Sequence, residues 1–218
     1  MALVKVVSLR YQIAMVNPHQ TPNRIAELLV HVGRAALSEA RNEDRRSSLT
    51  AAQWTCLRFF DRANGSTRTP SGFASFQATT RGTASQIVKT LERRGLITGQ
   101  RSDRDRRSVR FDLTAMGHET LLHDPLGDLI GVIGQLPENE RDRFLQTLSR
   151  MASALAGLRD VPAFGTCQDC SHFTPANDSG YCACMAAELA AEEIDQLCAS
   201  YQGPARGIQT EGEHDDRA

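Results

Sequence analysis

The 218-residue sequence has no run of about eighteen apolar residues, the length that a membrane-spanning helix needs. Its opening stretch, MALVKVVSLRYQIAMV, lacks the long apolar centre and the small-residue cleavage site of a signal peptide. Apart from its cysteines, the chain also lacks a cofactor-binding loop and any grouping of a nucleophile with a base. We therefore expect a cytoplasmic protein with no membrane partner and no enzymatic activity.

Cysteine is scarce in most of the sequence and concentrated near its end. The first 166 residues contain one cysteine, Cys56, whose apolar helical surroundings predict a small core residue. The 32 residues from Cys167 to Cys198 contain five. In a cytoplasmic chain such a cluster indicates metal binding or redox chemistry rather than a disulfide framework.

Charge is distributed unevenly, although the net charge is only −1. Residues 1–78 carry a net charge of +5, residues 79–110 carry +6 and residues 111–218 carry −12. The basic middle of the chain can therefore bind a polyanion, whereas the acidic C-terminal part would repel one.

Helical periodicity and capping residues predict a mainly α-helical fold with one small β-hairpin, an α+β winged helix-turn-helix. Thr50 and Thr69-Pro70 are typical helix starts, and Gly95 is a typical helix stop. The order is a short helix over SGFASFQA, a tight turn, a helix over RGTASQIVKTLERRG and a charged hairpin, as in a winged helix-turn-helix. Downstream, LTAMGHETLLHDPLGDLIGVIGQL predicts one helix bent near Pro125.

Composition divides the chain into four parts. These are an N-terminal extension (1–22), a winged-helix domain with a candidate helical dimerisation region (23–160), a small cysteine-rich module (161–202) and an acidic tail without predicted structure (203–218). Within the module, MAAELAAEEIDQL predicts a helix that brings Cys198 back toward the other cysteines.

Two elements of the winged helix are candidates for contact with DNA. The apolar stripe of the second helix would pack inward, which leaves five polar residues on its other faces: Arg81, Thr83, Ser85, Gln86 and Lys89. The hairpin tip supplies Arg104, Asp105, Arg106 and Arg107. Arginine on a thin wing can enter a narrow minor groove. A solvated charge run, partly locked into ion pairs by its aspartates, is the alternative interpretation of this tip.

Apolar residues in the last helix of the predicted domain, PENERDRFLQTLSRMASALAGL, step by four and three positions. They are Phe144, Leu148, Met151, Leu155 and Leu158. This narrow stripe is typical of helix-on-helix packing, either in the core of the chain itself or against a second copy.

Three segments in this order, LTAAQWTCLRFF, TASQIVKTLERRGLI and DRDRRSVRFDLTAMG, resemble the MarR (multiple antibiotic resistance regulator) family over about residues 23–160. The last segment is the most specific, because Asp-x-Arg on the wing followed by Leu-Thr-x-x-Gly is close to a signature of that family. The residues in these places are Asp105, Arg107, Leu113, Thr114 and Gly117. Gly82 departs from the family pattern, which usually has a small polar residue there.

The resemblance implies a homodimer built from the first and last helices of the domain. Its two winged helices would bind a palindrome in double-stranded DNA. The protein would then be a transcriptional regulator, most simply a repressor, and a small-molecule or redox effector would relieve the repression. The resemblance makes Arg107 the minor-groove arginine and Asp105 the residue that braces the wing. Arg81–Lys89 would be the reading helix.

The spacing of the cysteines predicts a metal site. Cys167-x2-Cys170 is a chelating turn, and Cys182-x-Cys184 and Cys198 supply further thiols. We select as ligands Cys167, Cys170, Cys182 and Cys198, with Cys184 as the substitute for Cys182. Structural zinc is favoured, while an iron–sulfur cluster and a metal-free thiol switch stay open.

Loss of the metal would alter the helix seam beside the tail and, through the dimer geometry, the affinity for DNA. The alternative to this regulatory role is a protein-interaction module or thiol redox switch whose zinc-stabilised tail docks a partner protein.

Overall fold

The computed structural model describes residues 20–37, 49–101, 109–177 and 179–203. The helices are α1 Gln20–Ala36, α2 Ala51–Arg62, α3 Pro70–Phe76, α4 Arg81–Arg93, α5 Ala115–Leu121, α6 Leu126–Gly134, α7 Glu138–Leu158 and α8 Ala191–Ile194. The strands are β1 Ile97–Arg101, β2 Val109–Leu113, β3 Phe173–Ala176, β4 Ser179–Cys182 and β5 Ala187–Leu189. These elements form two compact units, of which the first contains α1 and α6 and the second contains the rest.

The first unit consists of two helices, α1 and α6, that contact each other. Neither helix buries any of its side chains. Ile25 and Leu28 on α1, and Ile130 and Val132 on α6, are 48–61% exposed. The unit therefore presents an exposed apolar surface.

The helix-turn-helix elements of the second unit begin where their capping residues predict. Thr50 and Gln53 form a reciprocal capping box at the start of α2, with hydrogen bonds of 2.9 and 3.3 Å. The Thr69 hydroxyl caps α3, and Pro70 occupies the first position of that helix. Gly95 follows α4 with a φ of 71°, in the left-handed region that favours glycine. The predicted ends of these helices are confirmed.

Aromatic residues from α2, α3 and β2 form the core of the second unit. The ring centroids of Phe59 and Phe60 are 5.4 Å apart, and both rings also pack against Phe73 of α3. Phe111 of β2 lies 5.6 Å from Phe60. Cys56 is 0% exposed in the same core, which confirms its predicted structural role. Burial of these rings contributes to the hydrophobic stabilisation of the winged helix.

Strands β1 and β2 form the predicted antiparallel hairpin, in which Ile97 pairs with Leu113 and Arg101 pairs with Val109. The tip, residues 102–108, lies outside the described residues. Four residues predicted to contact DNA belong to this tip, namely Arg104, Asp105, Arg106 and Arg107. Their role stays a prediction.

The prediction of one bent helix around Pro125 is wrong, because two helices, α5 and α6, occupy this stretch. Helix α5 ends at Leu121, and α6 begins directly after Pro125. Proline has no amide hydrogen, and in a continuous helix its ring would clash with the carbonyl four residues earlier, that of Leu121. The helix is therefore interrupted rather than bent.

Helix α7 begins after Pro137 with Glu138 and Glu140 in its first turn, as predicted. Of its 21 residues, only Ala156 is buried. Four members of its apolar stripe are 36–84% exposed, namely Phe144, Met151, Leu155 and Leu158. Within the second unit this stripe is therefore not an ordinary core face. In the described ranges, no helix combines the length and apolar character needed to cross a membrane.

The cysteine-rich segment contains a three-stranded antiparallel sheet, β3–β4–β5, that was not predicted. Phe173 pairs with Cys182, which also pairs with Ala187. The predicted helix over MAAELAAEEIDQL is wrong, because only α8 is helical and Ala187–Leu189 is a strand. Pairing with β4 outweighs the helix propensity of the alanines and glutamates. The mainly helical class and the hairpin are confirmed, and the second sheet is an addition.

The structure explains why the Leu-Thr-x-x-Gly segment ends in glycine, at Gly117. A Cβ atom at this position would overlap the carbonyl oxygen of Leu96 and lie 3.3 Å from the side chain of Leu113. The amide of Thr114 donates to the same Leu96 oxygen at 3.1 Å, and the Thr114 hydroxyl caps α5 through the Gly117 amide. The glycine therefore permits the close approach of α5 to the start of the hairpin.

We expect Gly117→Ala to lower the free energy of unfolding by about 1–3 kcal/mol, because the added methyl group overpacks this backbone contact. In an open helical position the same change stabilises by about 1 kcal/mol. Urea denaturation followed by the fluorescence of Trp54, buried in α2, measures the effect. Gly82→Ala in α4 is the matched control, since its Cβ would meet only the Thr80 hydroxyl, at 3.8 Å. A Gly117 variant as stable as this control would contradict the explanation.

Candidate nucleic-acid interface and cysteine cluster

A tight turn joins α3 to α4 and fixes their relative position. Its residue Ala78 has a φ of 49°, in the left-handed region. The Thr79 amide donates to the Ala74 carbonyl at 3.0 Å and closes the end of α3. Thr80 then caps α4 by accepting the Thr83 amide at 3.1 Å. These local bonds make α4 the second helix of a helix-turn-helix.

Helix α4 has one packed face and one free face. The packed face consists of Ala84, Val88 and Leu91, all buried in the core. With 3.6 residues per turn, Gln86 and Arg93 lie nearly opposite this face, and Lys89 lies beside them. All three side chains are exposed. This is the face of α4 that can meet a DNA groove.

The five α4 residues predicted to contact DNA differ in their positions. Four are exposed, namely Arg81, Thr83, Gln86 and Lys89. Ser85 is half-buried at the edge of the packed face. The hydroxyl of Thr83 already shares a hydrogen bond of 2.9 Å with that of Thr80. Arg93 was not predicted, although it continues the exposed face two turns after Gln86.

Gly82 lies on the same exposed face, one turn before Gln86. A Cβ atom there would meet only the Thr80 hydroxyl, at 3.8 Å, so packing within the chain does not require glycine. The position leaves bare backbone at the start of α4, where another surface can approach closely.

The loop between α2 and α3, residues 63–69, anchors the wing. The Phe111 amide of β2 donates to the carbonyl of Arg68 at 3.0 Å. The Arg68 guanidinium also forms an ion pair of 2.5 Å with the carboxylate of Asp112. Because the Phe111 ring lies in the core, these contacts hold the base of the hairpin against the loop.

The same loop is bonded to a C-terminal segment, residues 197–202, which we call the strap. The Leu197 amide donates to the carbonyl of the last residue of α2 at 2.8 Å, and the Leu197 carbonyl accepts the Asn64 amide at 2.9 Å. The Ala199 amide donates to the hydroxyl of Thr67 at 2.9 Å. Thr67 is only 2% exposed, so this bond is shielded from water. The strap therefore pairs with the loop much as a short strand would.

Apolar contacts reinforce this docking. The ring of Phe164, just before the cysteine cluster, packs edge-on against Phe76 of α3 with centroids 5.3 Å apart. Phe164 and Leu197 both pack against the winged-helix core. Tyr201 of the strap hydrogen-bonds to Ser153 of α7. The tail is therefore joined both to the winged helix and to α7.

Backbone pairing gathers the four cysteines that were predicted as ligands. Cys167 starts a 3-10 turn in which the Cys170 amide donates to the Cys167 carbonyl at 3.0 Å. The Cys198 amide donates to the carbonyl of Gly165, two residues before this turn, at 2.9 Å. Cys182, at the end of β4, shares a hydrophobic cluster with Cys167.

The cysteines differ in exposure. Cys167, Cys182 and Cys198 are buried, Cys170 is half-buried and Cys184 is exposed. Burial, and then the neighbouring thiols of Cys198, Cys170 and Cys182, raise the pKa of Cys167 to about 11.

Across the described ranges, no three His, Cys, Asp or Glu side chains are arranged as a metal site. The backbone gathers the cysteines, but a finished set of ligands is not shown. The choice among zinc, an iron–sulfur cluster and free thiols therefore stays a prediction.

Comparison with known proteins agrees with the geometry of the winged helix. Residues 47–108 match a family model described as the MarR family. The matched segment contains α2, α3, α4 and β1 and continues over the wing tip, and it amounts to less than a third of the chain. No curated protein matches the chain. The winged-helix segment is thus similar to MarR family proteins, in agreement with the sequence motifs.

Solved structures that match the chain include three from different organisms. FabT of Streptococcus pneumoniae, solved in complex with DNA, is 21% identical with a TM-score of 0.49, and the match covers 65% of this chain and 99% of the FabT chain. A MarR transcriptional regulator from Methanosarcina mazei Go1 is 19% identical with a TM-score of 0.47, at 64% and 98% coverage. The transcriptional regulator BldR from Sulfolobus solfataricus is 19% identical with a TM-score of 0.48, at 64% and 99% coverage.

Proposed function

We propose that the protein is a MarR-type DNA-binding transcriptional regulator, a repressor that acts as a homodimer on palindromic operators. The observation that carries this proposal is the free face of α4, where Gln86, Lys89 and Arg93 project from the second helix of a helix-turn-helix. These residues belong to the segment 79–110, whose net charge is +6. Lysine and arginine neutralise phosphates, and glutamine can pair with adenine in the major groove.

The wing would supply the second contact with DNA. Arg101, exposed at the end of β1, leads into the tip that contains Arg107. The contacts of Arg68 with Phe111 and Asp112 fix the base of the hairpin. A side chain can read a groove only when its support is rigid, and this base would provide such a support.

The exposed stripe of α7 supports the homodimer. A contiguous apolar surface on a folded chain usually marks an interface. A second copy is the simplest partner, because a two-fold axis brings one stripe against an identical one. The dimer would then present two α4 helices to half-sites about 34–36 Å apart, one turn of DNA.

The cysteine-rich tail would supply the response to redox or metal state, because it contacts both the α2–α3 loop and α7. A small-molecule effector is the other input that a regulator of this class can take. The alternative function is a protein-interaction module whose tail docks a partner. The regulatory role is favoured, because the strap already uses its hydrogen-bonding groups within its own chain.

Lys89→Ala should weaken binding to every DNA sequence tested. Because one phosphate contact is lost, the slope of log affinity against log salt should fall by about 1 for each bound protomer. Fluorescence anisotropy with promoter fragments from the organism's own genome, at several salt concentrations, measures this. Arg150→Ala on α7 removes the same charge outside the helix-turn-helix and should leave the slope unchanged. An equal effect of both variants would argue against α4 as the contact surface.

Arg107→Ala should weaken binding by about 1–3 kcal/mol at fixed salt, because the wing loses its minor-groove side chain. Arg107→Lys keeps the charge and should recover part of the loss, although a lysine lacks the planar fork of arginine. The dissociation constants of both variants are measured on one operator fragment. If Arg107→Ala binds as tightly as the wild type, the wing does not contact DNA.

Leu155→Glu should convert the dimer into a monomer, because it places a charge in the apolar stripe of α7. Sedimentation equilibrium gives the mass in solution, and the affinity for a palindromic fragment should fall with it. Gln146→Glu introduces the same side chain on the opposite face of α7 and should leave the dimer intact. A wild-type protein that sediments as a monomer would remove the homodimer from the proposal.

A further inference from the structure

The folded part of the tail has a very small core of its own. Its buried cluster consists of Cys167, Cys182 and Leu189, with Phe173 and Ile194 packed at the edge. Segments with so little buried apolar surface usually depend on disulfides, a metal ion or docking onto another domain. The six cysteines of the chain are all free.

Three short segments meet around the thiols, and each contributes at least one cysteine. The first is the 3-10 turn with Cys167 and Cys170, the second is the end of β4 with Cys182, and the third is the strap with Cys198. The β3–β4 pairing and the bond from Cys198 to Gly165 keep these segments together. Their arrangement is set by backbone hydrogen bonds and not only by the thiols.

A Cys-x-x-Cys turn can present two sulfur atoms to one ion, and two further thiols complete a tetrahedron. The position of a cysteine sulfur depends on a single torsion angle, χ1. Thiols that are gathered by the backbone can therefore converge by side-chain rotation. Cys184 is exposed and lies beyond the end of β4, so it is the cysteine left over.

From this geometry we infer that the tail binds one divalent ion of the zinc class through four thiolates, and that the ion holds the strap against the α2–α3 loop. The ligands are Cys167, Cys170, Cys182 and Cys198. The inference deepens the proposed function, and only its consequence for DNA binding rests on that function.

Packing and ligand chemistry favour a single ion. Soft thiolate ligands select zinc over magnesium or calcium. Cys167, Cys182 and Cys198 are only 6–7% exposed, and the first two already share one hydrophobic cluster. Zinc needs only the four sulfurs around it, whereas an iron–sulfur cluster must also accommodate several irons and bridging sulfides.

The ion would act on the winged helix through the strap. Cys198 lies between Leu197 and Ala199, and both of these residues are bonded to the α2–α3 loop. That loop also contains Arg68, which holds β2 and hence the base of the wing. Release of Cys198 would free the strap and loosen the support of the wing.

The metal content of the full-length protein, purified without oxygen, tests the first half of the inference. Elemental analysis should find about one zinc per chain in the wild type and in Cys184→Ser. Cys170→Ser removes the least buried ligand and should lower the zinc content by about tenfold or more. Cobalt(II) added to the zinc-free protein should give the absorption of a tetrahedral thiolate site, which reports the ligand geometry directly.

Hydrogen exchange of backbone amides tests the second half without any DNA. A chelator should raise the exchange rates of the Asn64, Leu197 and Ala199 amides by about tenfold or more, and added zinc should restore them. The amides of α4 should stay protected throughout, which shows that the winged helix is still folded. Chelation of the wild type also avoids reliance on variants that fail to fold.

Each other outcome overturns a stated part of the inference. If the elemental analysis finds iron and inorganic sulfide in place of zinc, the site holds an iron–sulfur cluster and the single zinc-class ion is excluded. A protein that contains no zinc and takes up no cobalt has no such metal site. A Cys184→Ser variant that loses zinc while Cys170→Ser keeps it contradicts the choice of ligands. Zinc loss without a change in the strap amides excludes the coupling. A protein that binds zinc but ignores DNA would instead contradict only the proposed function.

Discussion

The winged helix depends on how the polar backbone of one loop, residues 63–69, is satisfied. A buried amide or carbonyl without a partner is costly, so each such group in a loop must find an acceptor or donor elsewhere. The Asn64 amide and the Thr67 hydroxyl find theirs in the strap, while the Arg68 carbonyl accepts from β2. The positions of the wing and of the C-terminal tail are therefore determined at the same place.

This arrangement explains how a strongly acidic C-terminal half can coexist with the basic surface proposed to bind DNA. Among the described residues, the tail is attached by Phe164, Leu197 and backbone hydrogen bonds. Such contacts are much less sensitive to salt than ion pairs. The charge of α4 and the wing is thus left available for a polyanion.

The sequence predicts well those features that depend on near neighbours. The caps formed by Thr50 and Thr69 and the helix stop at Gly95 follow from residues three or four positions apart. The three-stranded sheet was missed because its strands are held by pairing across the module, and alanine-rich stretches such as that around Ala187 read locally as helix. For the candidate site, helical period predicts the free face of α4, while the attachment of the strap to Asn64 and Thr67 leaves no local pattern.

The packing of Phe164 and Leu197 on the core has a practical consequence for any shortened form of the protein. A fragment ending near residue 160, where composition changes, would uncover the apolar sides of Phe76 and Ala63 and leave the Asn64 amide without its acceptor. Such a fragment would tend to self-associate through that surface. Aggregation of the isolated domain would then result from the loss of Phe164 and Leu197 and would say little about the solubility of the intact chain.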